Sequence, residues 1–370
     1  AIRPQSLTIT ALDQNWQSAG IARALANIAA SGGNVHKAST SGTPLPFTLR
    51  ATPVPASATN YNGSPTTVAG FPSCTGLGAL CTNPGALSYT AGSWTAAGGG
   101  VRENATATYS EAGAFNLQLE DAAYASVDAT DGTPVATRTV PATASAQIGR
   151  FVPDHFDVTA LVAPTFRTFN AADAACSAGA APRRTFTYIG QPFGYLTTLQ
   201  ATIIARNAAG ATTANYAGTL WKIGGAAPAT AKDCLASPNP DTCQFTTSWA
   251  AGGNSSDVIE RYTYTLTPAS TPNWDSAGAT AAAASVAAGA GTGTITYAAG
   301  DTLAFLRNTA TPQSPFTANI TNTLSVQDTS ESAVSGNGTI ATATAATFGG
   351  IGFDGGGASN GTEFRFGRLR

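Results

Sequence analysis

The sequence predicts an all-β protein, built as two immunoglobulin-like β-sandwich domains with long loop insertions and one short helix. Three observations lead there. Short segments alternate apolar and polar residues along the whole chain, which is the period of a strand with one buried face. Forty glycines and 21 prolines supply turn residues between those segments. Alanine, glycine and threonine dominate the composition, and threonine's β-branched side chain is stiff at χ1 and suits a pleated surface.

Taken in chain order, the alternating runs are Ser6–Leu12, Pro46–Ala51, Asn104–Tyr109, Ala114–Leu119 and Phe156–Leu161, then Leu199–Ala205, Glu260–Leu266, Gly293–Tyr297 and Asn322–Val326. A last run, Glu363–Leu369, follows the glycine-rich stretch 349–361. Between Trp16 and Gly32-Gly33, Ala19–Ala30 spaces its apolar residues by three and four, so a short helix is expected there as a loop insertion. Residues 97–127 read as the closing hairpins of the first sandwich, with Tyr109 ahead of a Glu-Ala-Gly turn. Pro153 restricts the backbone before it to extended conformations, and a fresh alternating run begins at Phe156. The expected domains are therefore 1–150 and 151–370, with Phe151 and Phe156 buried at or beside the junction. The second domain is expected to carry an insertion near 224–290, irregular over 224–257. GTLWKIGG reads as an apolar strand that puts Trp221 in the core.

Charged residues make up 10% of the chain and the formal net charge is −2. The arginines are scattered, so no clustered cation faces phosphates and nucleic acid is excluded as a partner. No signal peptide is present and no apolar run has the length of a membrane helix. The chain is therefore read as a piece of an exported protein. Two cysteine pairs, Cys74/Cys81 and Cys234/Cys243, lie in turn-rich segments without a nearby histidine. Zinc wants four ligands at short spacings, so disulfides in an oxidising compartment are expected instead. Cys176 is left over; it is buried and free, or pairs across domains or across chains.

Candidates for chemistry are few. The histidines are His36 and His155. Asp154-His155 suggests a general base, but neighbours on a strand point to opposite faces, so His155 is read as buttressing the junction. No G-x-S-x-G, GxxxxGK[ST] or strand-linked GxGxxG occurs. Serines such as Ser255 fall in apparent loops, and GAGTGT at 289–294 precedes a β-run and reads as a turn. Glu120, Asp121, Asp128 and Asp131 cluster locally. They are weighed as calcium ligands but read as turn acids, so no cofactor is expected. Trp249 and Trp274 lie in polar stretches flanked by glycine or proline. They are half-buried loop anchors or, if exposed, an interface or sugar-stacking surface.

Several long phrases resemble the MshQ family, large surface proteins encoded with mannose-sensitive haemagglutinin pilus genes. They are AIRPQS at the start, GRFVPDHFDVT at 149–159, FTYIGQPFGY at 186–195, ARNAAGATTANYAG at 205–218, GTGTITYAAGDTLAFLR at 291–307, FGGIGFD at 348–354 and FRFGRLR at 364–370. The phrases are ordered and span nearly the whole chain, with 219–290 outside them. The resemblance implies a β-rich outer-surface protein of a Gram-negative bacterium and supplies no catalytic residues. The expected function is a non-enzymatic structural or adhesive component of pili or other surface filaments. Its partners would be further copies of itself or pilus components. Assembly would use strand addition by Glu363–Arg370, which places Phe364 and Phe366 at an interface. The alternative is a module that binds surface glycans.

Overall fold

Every alternating run picked out before residue 330 is a strand in the computed structural model of the chain. The structure describes residues 3–13, 23–30, 32–40, 46–142, 144–167, 186–191, 193–223, 231–233, 242–251, 254–267, 274–275, 287–296, 302–305, 314–328, 339–353 and 362–367. Residues 231–233, 242–251, 254–267, 274–275, 287–288, 302–305, 318–322 and 362 are described by their backbones alone.

The protein is all-β. A six-stranded sheet is built on Ser6–Asp13, Phe47–Val54 and Val101–Tyr109, all antiparallel neighbours. A three-stranded sheet places Ala146–Val152 between Gly113–Leu117 and His36–Lys37. Their facing residues form one core: Leu7, Ile9, Phe47, Leu49 and Tyr109 from the first sheet meet Phe115, Leu117, Ile148 and Phe151 from the second. Period-2 alternation aims every second side chain at that core, as the burial of Leu7, Ile9 and Ala11 along one strand illustrates. The rings of Phe47, Tyr109, Phe115 and His36 surround Phe151 at centroid distances of 5.2, 5.0, 5.8 and 5.9 Å.

A twelve-stranded sheet follows. Its central order is Phe316–Asp328, Ile340–Thr344, His155–Val162, Gln200–Arg206 and Thr292–Thr296. A four-stranded sheet containing Thr165–Arg167 and Phe193–Thr197 contributes Phe166, Phe193 and Tyr195 to the core shared with Phe156, Val158, Ile203, Ile295 and Val326. Phe156 is fully buried, as expected of the residue that opens this core. Val35, Ala112 and Val152, which belong to the first half of the chain, also pack into the second cluster.

Several expectations need correction. No helix forms over 23–30: Arg23–Ala24 pairs with Leu12–Asp13 and Ala26 bridges Gly149. Pairing with an open sheet edge outweighs the weak helical spacing, and residues 14–22 lie outside the described residues. Among the described residues, the one α-helical turn is Val135–Arg138, which follows Pro134. Trp221 packs on Tyr216 and the second core, but after the 3₁₀ turn Gly218–Leu220 rather than inside a strand. The stretch expected to be irregular carries a long antiparallel hairpin, Thr242–Ala251 with Asn254–Thr267, so Ser255 is a strand residue. Its threonines and aromatics favour a pleated strand more than its glycines oppose one. GAGTGT is the turn it was read as, joining Ala287–Gly289 to Thr292–Thr296.

Among the described residues, no helix is long and apolar enough to cross a membrane.

Candidate functional site

Polar side chains concentrate where the two cores meet. The Asn215 side chain, 1% exposed, sits on the segment after the Gln200–Arg206 strand. Its Oδ1 accepts from Thr82 N (3.0 Å), Thr82 Oγ1 (3.0 Å) and Asn83 N (2.8 Å). Its Nδ2 donates to Asn83 O (2.7 Å) and Ala112 O (3.1 Å). One amide therefore uses its full hydrogen-bonding capacity on backbone and hydroxyl groups from two segments far away in sequence. Glu111 answers from the other side, accepting from Ala214 N (3.2 Å) and Asn215 N (3.0 Å) through separate oxygens. Burial pushes the Glu111 carboxyl above the usual carboxylate range, and the backbone donors hold it back.

Two further contacts extend the seam. Asn207 donates to Ser110 O (3.1 Å) while its Oδ1 accepts from Ala209 N and Ala211 N, both at 3.0 Å. The Lys37 ammonium is buried and donates to Asp154 O (2.5 Å) and Thr339 O (2.6 Å). Burial pushes its pKa down to about 8, partly opposed by the charges of Asp154 and Asp328. Asp328 accepts from Tyr216 OH at 2.8 Å.

The loop that meets Asn215 begins at a disulfide. Cys74 and Cys81 are bonded, with Cα atoms 5.1 Å apart. Leu77, Cys81 and Ala114 form a small cluster against which Cys74 and Leu80 pack. Gly113 lies at φ +87°, and a Cβ there would stand 1.9 Å from Leu80 O, so only glycine fits beneath the loop.

The remaining candidates are placed as follows. Asp154 and His155 do pair: His155 Nδ1 lies 2.9 Å from Asp154 Oδ2. The alternation argument failed because Asp154 belongs to the bend before the strand, where strand geometry does not apply. Asp157 Oδ1 stands 3.9 Å from His155 Nε2, and Arg206 Nε bonds Asp157 Oδ2 at 2.9 Å, so the imidazole sits beside the Asp157–Arg206 ion pair at the start of its strand. Asp121 is buried and accepts from Tyr61 OH at 2.9 Å. Glu120, Asp121, Asp128 and Asp131 do not converge. Among the described residues, no group of three or more His, Cys, Asp or Glu side chains could hold a metal ion.

Phe364 was expected at an interface but is buried within its own chain. It stacks on Phe316 at 5.1 Å, and its strand Thr362–Arg365 pairs with both Phe186–Tyr188 and Phe316–Ala318. Phe366 is half-buried against the same core. Trp249 and Trp274 lie on strands whose side chains are outside the described residues, as are Cys176, Cys234 and the side chain of Cys243.

Sequence reading missed Lys37, Glu111, Asn207 and Asn215. Asn215 and Asn207 fall in the phrase 205–218, whose low charge and small residues mark a turn but do not show what it docks against.

The fold and seam define a class: an all-β, disulfide-bonded protein whose buried polar side chains join one sandwich core to the next. A family model described as DUF6701, third domain, matches residues 111–350, and the chain belongs to that family. The matched unit begins at Glu111 and so contains both Glu111 and Asn215. No curated protein and no solved structure matches the chain.

Proposed function

We propose that this protein is an exported, non-enzymatic structural or adhesive component of the outer surface of a Gram-negative bacterium, of the MshQ-like kind that accompanies pili. The observation that carries the reading is the Cys74–Cys81 disulfide within an all-β frame, since such bonds persist in oxidising compartments. The seam supports it. Glu111, Asn207, Asn215 and Lys37 are engaged with backbone groups of the loops where the two cores meet, which suits a scaffold. The partners under this reading are other copies of the chain or pilus components. Because Thr362–Arg365 is paired on both sides inside its own chain, a closed subunit is favoured over one that donates this strand.

Protease shaving of intact cells with mass spectrometry of the released peptides tests the reading. Release of peptides from this chain, with Cys74 and Cys81 joined, is expected. A chain protected in intact cells with both thiols free would overturn it. A glycan array separates adhesion through sugars from a purely structural role, because only the glycan-binding alternative gives signal.

A further inference from the structure

We propose that the Cys74–Cys81 disulfide is an oxidation-dependent latch that sets the seam between the two cores. Thr82 and Asn83, which supply four of the five hydrogen bonds to the Asn215 side chain, directly follow Cys81 in the chain. Cys81 Sγ also lies 3.6 Å from Asn83 O, so the sulfur and the clamp on Asn215 share one short piece of backbone. On the other side of the bond, the turn Gly78–Leu80 rests over Gly113 and beside the turn Gly218–Leu220. The whole 74–83 loop is thus docked on the seam.

Besides the bond, the loop is held by the turn hydrogen bonds Leu77 N to Cys74 O (3.1 Å), Leu80 N to Leu77 O (3.1 Å) and Cys81 N to Gly78 O (3.2 Å) and by one small apolar cluster. Asn116 anchors only its first residues, donating from Nδ2 to Thr75 O (2.7 Å) and bridging Ser73 through the backbone. Closing a loop this short removes chain entropy from the open state, and that restriction keeps Thr82 and Asn83 in register with Asn215.

The chemistry balances by thiol–disulfide exchange. A dithiol reductant gives two electrons and two protons, becomes a disulfide, and leaves Cys74 and Cys81 as thiols. A disulfide oxidant reverses the step and departs as its dithiol. The seam is thereby completed only where the chain meets an oxidant. Placing that event after export rests on the proposed function; the latch itself does not.

Hydrogen exchange on the full chain, folded and then treated with a dithiol, tests the proposal. The amides of Thr82, Asn83, Ala214 and Asn215 are expected to exchange at least tenfold faster after reduction, while those of Gln200–Arg206 keep their rates. A Cys74→Ser/Cys81→Ser double variant, measured without reductant, is expected to show the same local pattern, which removes any contribution from the other cysteines. Unchanged rates at the four amides in reduced protein, or an acceleration spread evenly over all strands, would overturn the latch. Finding the chain in a reducing compartment would remove the export reading and leave the exchange result standing.

Discussion

Lys37 shows how one buried charge sets a pH dependence. Its pKa falls from 10.5 to about 8 because burial disfavours the ammonium. Between those values the unfolded chain holds a proton that the folded chain has released, so stability rises with pH across the window. The penalty is fully present below about pH 8 and amounts to about 3 kcal/mol by the usual conversion. Tyr61 and Tyr109 act oppositely above pH 10: burial raises both phenols, so the unfolded chain loses protons first and stability falls. Urea unfolding from pH 7 to 11 should therefore show a rise followed by a decline. Lys37→Met should abolish the rise and keep the decline, and a rise that survives in Lys37→Met would assign it elsewhere. Phe156 provides a second test. It is fully buried beside Tyr216, with ring centroids 5.8 Å apart, so Phe156→Ala should lower stability by about 3–5 kcal/mol. A loss under about 1 kcal/mol would be a surface residue's value.

At the scale of elements, the hairpin over 287–296 carries a turn whose two central residues, Ala290 at φ 49° and Gly291 at φ 74°, are both left-handed. That geometry matches strand twist but suits Asn-Gly, and alanine is the less favourable first residue. Ala290→Asn should stabilise by about 0.5–1 kcal/mol, read as a shift in denaturation midpoint with unchanged slope. Gly291→Ala should destabilise, because its Cβ would meet Thr213 O at 2.2 Å. This turn was legible in the sequence because its glycines stand between alternating runs, and the strands were legible for the same reason. The segment at 23–30 was not. Its apolar spacing fits a weak helix as well as an edge strand, and only the open edge of Ser6–Asp13 decides between them. The seam was less legible still. Asn215 meets Asn83 across 132 residues of chain, and no local pattern announces a partner that distant.

Across the whole molecule, the question is whether the two cores unfold together. Each is a contiguous apolar cluster able to form one cooperative unit. Between them run Lys37 to Asp154 and Thr339, Asn207 to Ser110, Ala208 N to Ala38 O at 2.9 Å, Glu111 to Ala214 and Asn215, and Asn215 to Thr82, Asn83 and Ala112. Unfolding one core alone would strand those groups in an apolar setting or expose the surface around them. Each buried polar group left without a partner costs about 1–3 kcal/mol, so partial unfolding is penalised by several such terms at once. Calorimetry of the oxidised protein should therefore show a single transition, with calorimetric and van't Hoff enthalpies equal. Asn215→Ala empties the centre of the seam and leaves Thr82 N, Asn83 N and Ala112 O unanswered, without touching either apolar cluster. Its thermogram should split into two transitions, the lower one displaced furthest. Two transitions in the unmodified protein would mean that the cores are thermodynamically independent. A single, merely lowered transition in Asn215→Ala would assign their coupling to the apolar contacts of Val35, Ala112 and Val152 with the second core.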